Sequence, residues 1–455
     1  MAAIFLIILW LNWNSHTMLA VYAYYIDFKN IILSGFNASQ AKLCNPTFPM
    51  WGYGWLLIIT ENKLLLILIQ GSLAIFSVWY FFRMAQSNNM LDDNTLLIYK
   101  TLLIIAIPFY AFHSIRWPYS ISMSLIVLSL VLFLAGFFYI KKPLKRIIIS
   151  GILFGLALNF RSDYYLIPIG FSIVMLIIMK FRSTVIGKTA VWLIAIYAML
   201  IPWGMYTYYT TGHFLLTSTN KGHVMFIGLG NLPDNKWGIT KWDHDPVLKA
   251  TMIKEYGEDK STLLYETNQY VLSEFKNRIK ADPTEYVRKN IYAAGRLFLE
   301  GVYSGDFLHH EVYKLQPLDT CWTRPGDTWK FNEGENTFKG IRSEFLNKPL
   351  QTIKHIGFTS LLRIMAKKIS SAFSRITSFL ALILLPLGLF FSIRDKNYLM
   401  LFSILLILYQ AGVNILAYQW NLYTANVYFF LLLLLSYTLL SMIYLVHKKK
   451  ETEHI

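Results

Sequence analysis

The chain has 455 residues, of which 55% are hydrophobic and only 15% charged, and its formal net charge is +16. A soluble chain carries roughly a quarter charged residues, so this composition excludes an ordinary water-soluble globule and fits a bilayer protein. The positive excess does not point to nucleic acid, because it gathers in short clusters beside apolar runs, at Lys141–Arg146, Lys180–Lys188 and Lys448–Lys450, as the cytoplasmic flanks of membrane helices do.

A membrane-crossing helix needs about 20 mostly apolar residues. Candidates lie at 1–15, 64–84, 95–113, 119–140, 147–160, 164–179, 188–208, 376–393, 398–417 and 426–446. The predicted fold class is an all-α polytopic membrane protein with about ten transmembrane helices. The first candidate is apolar from Ala2 to Trp13, with no basic residue before it and no clear small-residue cleavage site after it. It reads as a short first helix rather than a leader. The runs 147–160 and 164–179 stand close enough for a tight hairpin or one broken helix.

Placing Arg83, the three basic clusters, and Arg394 with Lys396 on the cytoplasmic side orients all the crossings consistently, with both termini inside. The outside then holds a first loop at 16–63, a link from His113 to Tyr119, a turn from Arg161 to Asp163, a long segment at 209–375 and a link from Gln419 to Ala425. In the first loop, Val21 to Leu33 is aromatic and apolar with Asp27 and Lys29 on it, the pattern of a helix lying in the interface. The long segment is large enough to form a small domain and is mainly helical. Its stretch Leu263–Arg296 reads as helix, broken at the Asp282-Pro283 step where a proline can open a new one. Leu350 to Arg375 mixes apolar residues with Lys354, Arg363, Lys367 and Lys368. That stretch reads equally as an amphipathic surface helix and as an ordinary packed one. Three regions follow: an N-terminal transmembrane region at 1–208, an extracytoplasmic loop domain at 209–375, and C-terminal transmembrane helices with a basic tail at 376–455.

Cys44 and Cys321 both fall in segments placed outside, where a disulfide and two free thiols are both open. No Cys/His cluster has zinc-like spacing, and no metal site is expected. Asn37-Ala-Ser39 fits a glycosylation sequon.

The predicted spans hold almost no Asp, Glu, Lys or Arg, whereas ion-coupled transporters keep ionisable groups at mid-membrane. The ionisable residues gather at the outer ends instead: Asp27, Glu61, His113, Arg116, Arg161, Asp163, Lys221 and His223. This pattern argues for a membrane-embedded enzyme with its site at the outer surface. A lipid-linked substrate there presents a phosphate, which needs cations, and its transfer needs a carboxylate to take a proton from the acceptor hydroxyl. Arg116, Arg161, Lys221, His113 and His223 are the candidate cations, and Asp27 is the only carboxylate of the first outer loop before Glu61. Arg161 with Asp163 reads also as a structural ion pair closing a hairpin, and His113 as a polar cap at a helix end. Trp237, Trp242, Trp322 and Trp329 suit either sugar stacking or packing in the loop domain and interface belt.

Several local patterns occur in a telling order. Pro46-Thr-Phe-Pro49-Met-Trp-Gly52-Tyr-Gly54 precedes the second helix. Gly151-Ile-Leu-Phe-Gly155-Leu-Ala-Leu-Asn-Phe-Arg161 is followed by Pro168. Thr211-Gly212-His-Phe214 leads into Thr217-Ser-Thr-Asn220-Lys221-Gly222, and Asp282-Pro283-Thr-Glu-Tyr286 is followed by Arg288 and Arg296. Together they resemble the polytopic glycosyltransferases of the GT-C superfamily, especially bacterial members akin to dolichyl-phosphate-mannose protein mannosyltransferases and lipid A aminoarabinose transferases. The likeness covers most of residues 1–300.

The resemblance implies a GT-C-like fold in the bacterial inner membrane and a polyprenyl-phosphate sugar donor among membrane lipids. It also implies a glycan, lipid or protein acceptor and a single displacement that inverts the anomeric centre. It places the catalytic carboxylate in the first outer loop, hence Asp27, with His113, Arg116, Arg161, Asp163, Lys221 and His223 as substrate contacts. No cofactor is implied beyond the divalent ion that some relatives use. The sequence departs from the family in register. The family's acid position falls on Val21, His113-Ser-Ile-Arg116-Trp-Pro stands where a second acid is usual, and Gln419-Trp-Asn-Leu-Tyr423 replaces an Arg-Tyr pattern. Two other classes fit the composition: a polymerase or ligase using polyprenyl-diphosphate glycans, and a lipid or glycan flippase, which would need a continuous polar path through the helices.

Overall fold

A computed structural model describes residues 23–38, 47, 50–60, 63–116, 119–139, 143–241, 245–300, 358–417 and 427–453. The predicted helix at 1–15, both cysteines, Trp242, Trp322 and Trp329, and Ser39 of the sequon lie outside these residues. Among the described residues all regular structure is helical.

The N-terminal region comprises α1 (Ala23–Leu33), α2 (Gly52–Ile59), α3 (Lys63–Ser87), α4 (Asp93–Arg116), α5 (Tyr119–Leu134, continued by a π turn at Ala135–Tyr139), α6 (Pro143–Phe160), α7 (Ile167–Ile178), α8 (Ser183–Ala198) and α9 (Ile201–Thr211). The loop domain holds α10 (Lys221–Ile227), α11 (Pro246–Tyr256) and α12 (Tyr265–Ala281), and α13 (Pro283–Glu300) leads out of it. The C-terminal region has α14 (Phe358–Ile383), α15 (Leu385–Arg394), α16 (Tyr398–Leu416) and α17 (Tyr428–Glu453).

Among the described residues, five helical stretches are long and apolar enough to cross a membrane: Leu68–Ser87, Ser120–Phe138, Pro143–Phe160, Tyr398–Leu416 and Tyr428–His447. Two bent pairs, α8 with α9 (42°) and α14 with α15 (57°), raise the number to seven if each is one span. Both bends precede a proline, Pro202 and Pro386, near the start of the second helix, where a missing N–H and a fixed φ suit a fresh helix start. The sequence boundary at 375/376 is not a helix boundary: α14 runs unbroken from Phe358 to Ile383 and turns at Leu384.

The centre of the bundle is α5, buried almost throughout against α6, α3 and the π turn. Apolar helices gain little by merely burying apolar surface in lipid, so close contact and internal hydrogen bonds set their pairing. Ser129 donates to the Ser150 carbonyl (2.8 Å), Ser150 donates to the Ser129 carbonyl (2.7 Å), and the Trp192 indole donates to the Ser150 hydroxyl (3.0 Å), tying α5, α6 and α8. Gly151 and Gly155 let α8 sit directly on α6. A Cβ on the first would lie 2.6 Å from Ala195 Cβ, and one on the second 2.5 Å from the Ile196 carbonyl oxygen. On α14, Ser370, Ser371, Ser374, Thr377 and Ser378 are all buried, small side chains that let α4 and α17 approach closely. Thr377 and Tyr428 share a hydrogen bond across that contact (2.8 Å).

The loop domain has its own core, built on Phe226, Ile227, Leu229, Leu248, Met252, Val271 and Phe275. Asp245 caps α11 by accepting from the Leu248 N–H (2.7 Å). Asp282 caps α13, accepting from the Glu285 N–H (3.0 Å), so the helix break expected at Asp282-Pro283 is present. The Thr284 hydroxyl, the Glu285 N–H and the Lys236 ammonium hold the Asp282 carboxyl down to about 2. Beyond this cap α13 packs against α16 and α14.

Candidate functional site

The turn after α6 is where the predicted ion pair forms. Arg161 is extended and buried (4% exposed), and Ser162–Tyr164 make a single 3-10 turn. Arg161 Nε lies 2.6 Å from each Asp163 carboxylate oxygen, and a terminal guanidinium nitrogen also meets Oδ2. The guanidinium lies over the Tyr164 ring, 5.6 Å from its centroid. The turn is fastened from two sides: Tyr409 of α16 donates to the Asp163 carbonyl (2.5 Å), and Tyr197 of α8 donates to the Tyr165 carbonyl (2.9 Å).

Just before the turn, Asn159 takes a hydrogen bond from the Trp51 indole (2.5 Å) and donates to the Gly155 and Met199 carbonyls (2.9 and 3.1 Å). Gly52 follows Trp51 because nothing larger fits: a Cβ there would lie 2.8 Å from the Asn159 carbonyl oxygen. The segment after α9 reaches the same place. Ser218 meets Ser162 hydroxyl to hydroxyl (3.3 Å) and donates to Asn220 (2.8 Å). Thr219 meets Thr47 (2.9 Å) and donates to the Leu263 carbonyl (2.7 Å). The Trp203 indole donates to the Thr217 carbonyl (3.2 Å). The first loop, the α6–α7 turn and residues 217–220 therefore form one hydrogen-bonded junction.

The chain matches no family model, no curated protein and no solved structure.

Of the site residues expected from sequence, Arg161 and Asp163 are direct partners, and Lys221 and His223 follow the Ser218–Asn220 stretch that touches their turn. Lys221 is the exposed first residue of α10. His223 is buried and turned into the loop domain, with Nδ1 2.7 Å from the Thr262 hydroxyl. Asp27 stands on α1, whose Phe28 packs on Trp203 and Tyr206 with ring centroids 5.7 Å away in each case. His113 and Arg116 stand in the last turn of α4. The side chains of Asp27, His113 and Arg116 lie outside the described residues. Trp237 packs against the core of the loop domain. Among the described residues no group of three His, Cys, Asp or Glu could hold a metal ion.

Chemically, the junction offers a guanidinium oriented by its own carboxylate, an exposed ammonium on the adjoining segment, and several hydroxyls and carboxamides. Its indole rings belong to a cluster of Phe28, Phe36, Trp51, Trp55, Trp203 and Tyr206. Two of its fasteners carry no local sequence signal. Tyr409 lies 246 residues from its partner Asp163, and Trp51 lies 108 residues from Asn159.

Proposed function

We propose that the chain is a GT-C-type membrane glycosyltransferase that moves a sugar from a polyprenyl-phosphate donor to a lipid, glycan or protein acceptor at the extracytoplasmic face of a bacterial inner membrane. The observation that carries this is the junction itself. Residues that the sequence places in separate outer loops, Thr47, Ser162 and Ser218–Thr219, are joined by hydrogen bonds at one place, beside the bond of Trp51 to Asn159 at the end of α6.

In this mechanism Asp27 takes the proton of the acceptor hydroxyl as that oxygen bonds to the anomeric carbon. The bond from that carbon to the phosphate oxygen breaks with inversion, and its electron pair leaves on the polyprenyl phosphate. Lys221, Arg116 and His113 are the phosphate and sugar contacts; His223, expected from the sequence to join them, is instead buried against Thr262 and takes no part. Arg161 joins them as a cation whose direction Asp163 fixes, since a bidentate pair is a rigid one. The apolar helices hold the polyprenyl tail.

The test is transfer from a labelled polyprenyl-phosphate sugar by the full chain in lipid nanodiscs, with a polyprenyl-diphosphate glycan as the competing donor. The expected result is transfer from the monophosphate, reduced about 100-fold or more in Asp27→Asn, the scale of a lost general base. Undiminished transfer by that variant would remove Asp27 from the mechanism. Chain extension from the diphosphate donor alone would replace the transferase with a polymerase or ligase.

A further inference from the structure

Away from the junction, α16 carries two carboxamides on one face, Gln410 and Asn414, one turn apart within an otherwise apolar run. Both are buried, Gln410 at 0% exposure and Asn414 at 1%. They line a cavity of about 10 Å³ where α13, α14, α16 and α17 meet, shared with Leu297, Leu382, Ile407 and Leu431. Neither Nε2 nor Oε1 of Gln410 has a hydrogen-bond partner among the described residues.

A carboxamide in this position selects its guest. An apolar guest would leave both polar atoms bare, which buried groups avoid. An ion is excluded because no lining residue is charged and a metal cation needs about six oxygen ligands. A sugar, a headgroup or any larger alcohol exceeds the space, which is room for about one water molecule. The guest must donate and accept, be neutral, and be very small. We infer that Gln410 and Asn414 form a binding site for a single internal water, placed where the helix leaving the loop domain crosses the bundle. The water accepts a hydrogen bond from Gln410 Nε2 and donates one to a carboxamide oxygen on the same face of α16. The joint between α13 and the bundle is thereby a hydrated one. This inference does not depend on the glycosyltransferase reading.

The test pairs density with the sign of a stability change, both on the full chain in nanodiscs. A high-resolution map should show one isolated peak within hydrogen-bond distance of the Gln410 carboxamide, absent in Gln410→Met. Gln410→Met should lower the thermal midpoint by about 2 °C or more, because a buried water bonded to the protein is costly to lose. A midpoint unchanged or raised by Gln410→Met would mark a carboxamide with nothing to lose and overturns the site. So does a map in which a protein side chain fills the cavity and bonds Gln410. Should Gln410→Met fail to fold, the wild-type map alone decides between the peak and the side chain.

Discussion

Lys289 offers the sharpest test of how the loop domain is held to the bundle. It sits on α13 at 0% exposure. Its Nζ donates to the carbonyls of Ile415, Leu416 and Ala417 at 2.8, 3.1 and 3.2 Å, capping the C-terminal end of α16, and lies 3.3 Å from Asn290 Oδ1. Tyr286 adds a bond to the Leu416 carbonyl (2.9 Å). Burial pushes the Lys289 ammonium down from its ordinary 10.5 to about 7, while the carbonyls at the negative end of α16 pull the other way. With the folded value below the unfolded one, the unfolded chain holds the extra proton between about pH 7 and pH 10.5. Stability therefore climbs with pH across that window. Below pH 7 both states are charged and the burial penalty stands in full; above 10.5 both are neutral and it is gone. The slope is at most about 1.4 kcal/mol per pH unit, so wild type should gain roughly 2–3 kcal/mol between pH 7.5 and 9.5 relative to Lys289→Met. Other lysines and tyrosines titrate in the same window, and the difference between the two proteins removes them. Equilibrium unfolding in mixed detergent micelles at several pH values reads the effect. Lys289→Arg stays charged throughout and should be as flat as Lys289→Met. Parallel pH slopes for wild type and Lys289→Met would refute the assignment.

The remaining predictions concern the turn and the loop domain. Asp163→Asn leaves the buried Arg161 guanidinium without its carboxylate, and unfolding should be easier by about 3 kcal/mol, the lower end for a broken buried pair because Asp163 is partly exposed. Equilibrium unfolding as above checks it, and an unchanged curve would show the pair to be ornamental. Gly222→Ala would bring a Cβ to 2.1 Å from the Asn268 carbonyl oxygen, forcing α10 off α12 at a cost of about 1–3 kcal/mol. Hydrogen exchange should rise across residues 221–281 and not in α5 or α6. Gly187→Ala on α8, with nothing within 4 Å of the new methyl, is the matched control and should be neutral or stabilising by up to about 1 kcal/mol.

The helices were legible in the sequence where length and composition decide. The apolar runs 64–84, 119–140, 147–160, 398–417 and 426–446 each coincide with a helix long and apolar enough to cross a membrane. The helix break at Asp282-Pro283 was legible too, because a proline at a helix start is a local signal, and the structure adds the Asp282 cap on Glu285. The ends of α8 and α14 were harder. Hydropathy averages over a window and passes through Pro202 and Pro386 without marking the bends of 42° and 57° that they start. The apolar run beginning at 376 suggested a boundary after Arg375, yet a helix continues through charged residues when its backbone bonds continue, and α14 runs on to Ile383. At the site, Arg161 and Asp163 stand two residues apart, so their pairing was readable as one of two options. Trp51 with Asn159 and Thr47 with Thr219 are partners across 108 and 172 residues, and no local pattern announces such a pair.

The same distance limit hid what α16 is tied to, and those ties make the junction more than a local turn. Tyr409 holds the carbonyl of Asp163, and the end of the same helix, Ile415–Ala417, is held by Lys289 and Tyr286. About seven residues of helix, roughly 10 Å at 1.5 Å per residue, separate the two attachments. A helix over that length is stiff, because shifting one end breaks its own hydrogen bonds or moves the other end. The loop domain's exit helix and the Arg161–Asp163 turn are thus tied to one strut, and a displacement of α13 is felt at the turn without either touching the other. Under the proposed transfer reaction, such a link would couple the loop domain to the charged turn. Gln410 lies between the two attachments, one residue from Tyr409, so the hydrated joint occupies the stretch of α16 through which any such displacement passes.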